Sequence, residues 1–140
     1  MTRQLEHLEQ CAVVSWFKLQ YPAYAGCLVA IPNGAHLAGT PKQRAQKMAK
    51  MKREGLKTGA SDLFIALPRG GFSGLWIEMK ATGKTACSVS SDQRDHLDLM
   101  AEVGYSSHWC AGRDSAIETI KQYMKSSGLC REDGQSAINR

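Results

Sequence analysis

Hydrophobic positions in the first twenty residues recur every three or four. Leu5, Leu8, Ala12, Trp16 and Leu19 form one apolar stripe, which predicts an amphipathic helix over residues 3–20. Tyr21-Pro22 stops it. Cys27-Leu28-Val29-Ala30-Ile31 is a short apolar strand, closed by the turn signal Pro32-Asn33-Gly34. Good helix formers with a proline at their head predict a helix from Pro41 to Arg53, ended by Glu54-Gly55. Two strands follow, 62–67 and 75–80, joined by a Gly-rich connection that suits an antiparallel hairpin. Ser90-Ser91-Asp92-Gln93 has capping-box spacing and opens a helix through Val103. A fourth strand, 105–111, and a last helix capped by Asp114 and running to Lys125 complete the pattern. The polar residues from 127 onward predict a frayed tail, so residues 1–126 form the domain and 127–140 a flexible end. An α/β fold follows, a small mixed sheet flanked by helices.

Charge adds a second layer. The formal net charge of the 140 residues is +5. Between Pro41 and Lys57 seven bases (Lys42, Arg44, Lys47, Lys50, Lys52, Arg53, Lys57) face one acid, Glu54, so this segment holds all of the excess. A basic patch on a near-neutral body is the footprint of a polyanion, nucleic acid first. Arg44, Lys47, Lys50 and Lys57 are the candidate phosphate contacts, and no element looks suited to reading bases. Five widely spaced cysteines (Cys11, Cys27, Cys87, Cys110, Cys130) suggest neither a disulfide framework nor a zinc site, and His7, His36, His96 and His108 share no spacing that suggests one. A polar N-terminus without a signal-peptide core and the lack of a long apolar run suit a cytoplasmic protein that does not enter a membrane.

The hairpin carries the candidate chemistry. Side chains alternate on a strand, so Leu75, Ile77 and Met79 share one face while Trp76, Glu78 and Lys80 share the other. A symmetric loop sets Leu67 opposite Leu75, Phe64 opposite Glu78 and Asp62 opposite Lys80, so that Asp62, Glu78 and Lys80 converge. Two carboxylates and a lysine beside a basic segment suit metal-dependent phosphodiester hydrolysis, because hard cations such as Mg²⁺ take carboxylate oxygens. A lysine there orients water or offsets developing charge. Spacing alone leaves the bland readings open. Glu78 and Lys80 can be a cross-strand ion pair on a solvated face, Asp62 a turn residue, and the basic segment a solvated helix.

Gly59-Ala60-Ser61-Asp62-Leu63-Phe64, then Gly74-Leu75-Trp76-Ile77-Glu78-Met79-Lys80, then Ser90-Ser91-Asp92-Gln93, resembles the VRR-NUC family of the PD-(D/E)XK nuclease superfamily. Glu6-His7-Leu8-Glu9-Gln10 is similar to that family's first-helix motif, and Ile31-Pro32-Asn33-Gly34 to its Pro-Asn-Gly turn. The likeness runs over residues 5–124 with the motifs in the family's order. It implies a restriction-endonuclease-like core in which Glu6, Asp62, Glu78 and the backbone carbonyl of Met79 bind Mg²⁺ or Mn²⁺. It implies further that Lys80 is the catalytic lysine and that Gln93 lies near the scissile phosphate. Glu6 and Glu9 compete for the first-helix role, and the motif favours Glu6, with Gln10 one turn on. Ser61 stands where the family usually has proline. Stand-alone members imply a homodimer cutting branched DNA such as Holliday junctions, in a bacterial or phage-infected cell. The rival from another class is a non-catalytic nucleic-acid-binding module that works through the basic segment alone.

Overall fold

The computed structural model describes residues 2–32 and 37–127. The Pro-Asn-Gly turn with Asn33, and the tail beyond Ser127, lie outside them. Helix α1 (Thr2–Gln20) is followed by a short 3-10 turn at Pro22–Cys27, strand β1 (Leu28–Ala30) and helix α2 (Pro41–Arg53). Strands β2 (Leu63–Ile65) and β3 (Leu75–Lys80), helix α3 (Ser91–Glu102), strand β4 (Ser106–Ala111) and helix α4 (Arg113–Lys125) complete the order. The sheet runs β1-β2-β3-β4, antiparallel except for the parallel β3–β4 pair, which α3 connects. A mixed sheet flanked by helices is the architecture that the pattern predicts.

Local chemistry explains most element ends. Thr40 caps α2 and Ser90 caps α3, and each forms a reciprocal capping box with the glutamine three residues on, Gln43 and Gln93. The expectation that Asp114 caps α4 is corrected. Gly112 holds that cap position without a side-chain hydrogen bond, and Asp114 lies in the first turn.

One sheet face and two helices make the core. Leu63 and Ile65 of β2 and Leu75, Ile77 and Met79 of β3 are fully or almost fully buried with Val13, Phe17, Ala116, Ile120 and Tyr123. This corrects the expected stripe on α1. Val13 and Phe17 are buried completely, whereas Leu5, Leu8 and Leu19 are 53%, 52% and 84% exposed. Two parallel lines of residues on α1 could have faced the core, and packing against β3 and α4 selects the one through Val13 and Phe17. One and two turns toward the N-terminus, that line continues into Gln10 and Glu6.

The hairpin register is also corrected. Phe64 pairs with Trp76 and Leu63 with Ile77, two residues from the expected alignment. The Phe64 and Trp76 rings stack with centroids 4.4 Å apart, and a side chain at Gly74 would meet the Phe64 ring at 2.7 Å. Aromatic pairing across the strands therefore sets the register. An even slip leaves every side chain on its face, and it brings Asp62 level with Glu78 instead of Lys80.

Gly59 links this hairpin to α3. Its φ of +83° is in the left-handed region, and a Cβ there would lie 2.5 Å from the carbonyl carbon of Asp92. Gly59→Ala is expected to destabilise the protein by about 3 kcal/mol through backbone strain and displacement of the first turn of α3. Urea unfolding measures it. A loss under about 1 kcal/mol, the size of an ordinary surface change, would show that α3 does not depend on this contact.

Candidate active site

The sheet face opposite the core is polar at its end. Trp76, Glu78 and Lys80 project from it, and α3 closes over them. Glu78 and Lys80 are only 2% and 7% exposed, so they are not an ion pair on a solvated face. Their charges lie together, with Lys80 Nζ 3.5 Å from Glu78 Oε1.

Gln93 holds this pair. Its Nε2 donates to Glu78 Oε1 at 2.6 Å, and its Oε1 accepts from Lys80 Nζ at 3.0 Å. The same Oε1 accepts from the Ser90 backbone N–H at 2.9 Å, which is half of the capping box. Because that N–H can only donate, the amide is oriented with its oxygen toward Lys80 and its nitrogen toward Glu78. Capping and site-holding are thus one arrangement of atoms.

Asp62 is held from another direction. Strand β2 begins only at Leu63, so the Met79 N–H has no ladder partner there, and Asp62 Oδ2 accepts from it at 2.7 Å. The Asp62 carbonyl accepts from Ile31 N–H at 2.8 Å. Met79 itself lines the same space.

Both carboxyls are under electrostatic strain. Burial and then the neighbouring Asp62 charge push the Glu78 pKa up to about 8, with Lys80 pulling the other way. Burial likewise raises Asp62, against the Met79 N–H and Lys80. Glu78 Oε2 is buried without any hydrogen-bond donor among the described residues. A buried carboxylate oxygen with no donor, beside a second carboxylate, is a fit for a hard cation, which takes oxygen ligands and offsets both charges.

These groups line one cleft of about 950 Å³. Its floor is Asp62, Glu78, Met79 and Lys80, with Gln93, Ser90 and Asp92 of α3 beside them. Glu6 and Gln10 of α1 border it together with Arg3 and His7. Glu9 points elsewhere, clamped to the Arg113 backbone N–H and guanidinium, which holds its carboxyl below the usual range. Of the two first-helix glutamates, Glu6 is the one in the cleft.

The basic segment forms the opposite wall, through Met48, Lys52, Leu56 and Lys57. Lys57 therefore lies at the cleft. Lys47 donates to the Ala38 carbonyl at 2.8 Å, Lys50 lies 3.8 Å from Glu54, and Arg44 is exposed on α2. Sequence reasoning did not single out Lys52 or Arg3. The four-residue step from Met48 to Lys52 marks the face of α2 that meets the cleft, but the uniform basic charge of the segment conceals it.

A four-stranded mixed sheet with paired carboxylates and a lysine at the end of its central hairpin is a PD-(D/E)XK-type nuclease fold. The family model for the VRR-NUC domain matches residues 1–114, and the chain belongs to that nuclease-type family. A solved structure described as a VRR_NUC domain protein superposes with a TM-score of 0.74 at 28% identity, covering 89% of this chain and 91% of its own. No curated protein matches the chain. Among the described residues, no helix is long and apolar enough to cross a membrane.

The raised carboxyl has a thermodynamic sign. Between about pH 4.5 and pH 8 folded Glu78 keeps a proton that the unfolded chain has released, so the folded state binds more protons. Stability of the metal-free protein should therefore fall as pH rises through that window. Mn²⁺ should raise Tm more at pH 8 than at pH 6, because binding displaces the proton. Glu78→Gln should raise the metal-free Tm at pH 8 by several degrees and abolish the Mn²⁺ shift. Scanning calorimetry at both pH values decides, and a Tm increment from Mn²⁺ that is equal at the two would contradict the assignment.

Proposed function

We propose that this chain is a Mg²⁺- or Mn²⁺-dependent DNA endonuclease acting on branched DNA. The observation that carries the reading is the pair of buried carboxyls, Asp62 and Glu78, side by side at the cleft, with Glu78 Oε2 lacking a hydrogen-bond partner among the described residues. A protein that only binds a polyanion gains nothing from burying negative charge beneath its own basic wall. Asp62, Glu78 and the Met79 carbonyl would hold the cation, with Glu6 at the border of the same cleft. A divalent cation bound there would lower the pKa of water and neutralise charge developing on the phosphate.

The chain's own groups supply the rest. Lys80 is fixed by Gln93 with its ammonium toward the cleft, where it orients the attacking water and offsets charge in the transition state. The expected products carry 5′-phosphate and 3′-hydroxyl ends. Lys52, Lys57 and Arg3 hold the phosphates of the strand lying in the cleft, and Arg44, Lys47 and Lys50 extend the positive field along α2. Such contacts position a backbone without reading sequence, which suits recognition of shape. Paired cuts across a four-way junction need two related sites, and a twofold homodimer supplies them.

Cleavage of a four-way junction, a flap and a plain duplex with Mg²⁺, Mn²⁺ or EDTA tests this reading. Asp62→Ala and Glu78→Ala should each abolish cleavage while DNA binding stays equal or tightens, because negative charge near phosphate is removed. Binding without cleavage in every metal would instead mean a binding module. Lys52→Ala and Lys57→Ala should each lower the salt dependence of binding by about one unit of slope, uniformly across DNA sequences. An unchanged slope would place the DNA elsewhere.

A further inference from the structure

Behind the Asp62 side of the cleft is a buried polar contact that the chemistry described above does not use. Ser61, fully buried and next to Asp62, donates its backbone N–H to His96 Nδ1 at 3.2 Å, and its Oγ lies 3.1 Å from the same nitrogen. A backbone N–H can only donate, so Nδ1 must carry a lone pair. The imidazole is therefore neutral with its proton on Nε2. Burial, and then the Lys57 charge, also hold His96 below its ordinary range.

The ring cannot easily turn away. Trp76 meets it edge to face at 4.9 Å, and Trp76 is itself stacked on Phe64. His96 stands one turn after Gln93 on α3. Two successive turns of one helix thus reach both halves of the site: Gln93 touches Glu78 and Lys80, and His96 touches the residue that carries Asp62 into place.

We propose that His96 is a positioning residue for Asp62, its Nδ1 serving as the fixed acceptor that locks Ser61 and thereby aims the adjacent carboxylate at the cation site. The proposal rests on the nuclease reading above. Asp62 is then set at three points: His96 before it, Ile31 at its carbonyl and Met79 at its carboxylate. Groups that orient a ligand from behind commonly change metal affinity or activity by about 10–100-fold when removed. Ser61 also explains why a histidine is useful here. Proline would hold this position through its ring and has no N–H to offer, whereas serine needs an external partner.

Crossed substitutions separate the acceptor from the ring. His96→Phe keeps an aromatic ring against Trp76 and loses the acceptor, while His96→Asn keeps an acceptor near the Nδ1 position and loses the ring. Mn²⁺ affinity of the DNA-free protein by calorimetric titration, junction cleavage and Tm are measured for each. Mn²⁺ binding should weaken about tenfold in His96→Phe and stay within about twofold of wild type in His96→Asn, whatever happens to Tm. Equal Mn²⁺ affinity in wild type and His96→Phe, or equal loss in both variants, overturns the positioning role.

If His96→Phe does not fold, the same change is made together with Ser61→Pro, which removes the orphaned N–H and stiffens the backbone itself. That double variant should bind Mn²⁺ nearly as wild type does, and a tenfold loss in it overturns the proposal. Failure of the wild-type protein to bind Mn²⁺ or cut any DNA overturns the nuclease reading, and the positioning role with it. Wild-type activity with an unaffected His96→Phe overturns the positioning role alone.

Discussion

The hydrogen bonds of Gln93 are the constraint on which the candidate site depends. A glutamate and a lysine buried side by side on one strand lose more hydration than their mutual attraction returns, unless their remaining polar atoms find partners. Gln93 serves both, and its own orientation is set by the Ser90 N–H at the start of α3. The docking of α3 on the sheet is therefore inseparable from the geometry of the charges beneath it. The arrangement remains incomplete in one respect, because Glu78 Oε2 has no donor among the described residues.

A second economy appears at the start of β2. Because that strand starts only at Leu63, one edge of β3 beyond Ile77 is unpaired with it, and the Met79 N–H becomes available to the Asp62 side chain. A continued ladder would have consumed the N–H while leaving Asp62 on the face of Glu78. The late start of a short strand thus does the work of an additional side-chain donor. It also leaves Asp62 dependent on what surrounds it, on Ile31, Met79 and the Ser61–His96 contact.

Helix α1 combines two environments along a single line of residues. Val13 and Phe17 enter the core completely, and one or two turns earlier Gln10 and Glu6 border the cleft. The rotation that buries the first pair delivers the second, so core packing and site assembly are the same event. Glu9, only three residues on from Glu6, is committed to the start of α4 through Arg113. On the far wall α2 buries none of its residues, and it reaches the cleft through Met48 and the charged Lys52.

Local patterns in the chain determined a good deal by themselves. The extent of α2, the capping box at Ser90, the hairpin and the sharing of one face by Glu78 and Lys80 follow from turn residues, caps and twofold alternation, which act over a few residues. The motif order likewise carried the family. Tertiary structure alone decided which stripe of α1 faces inward, because two stripes offer apolar area and only the sheet and α4 choose between them. It decided the hairpin register, since the Phe64–Trp76 stack outweighs the symmetry of the loop. It decided that Glu78 and Lys80 are buried, because burial depends on how α3 folds back across the sheet. It alone brought His96 to Ser61, a contact across thirty-five residues that no local spacing encodes.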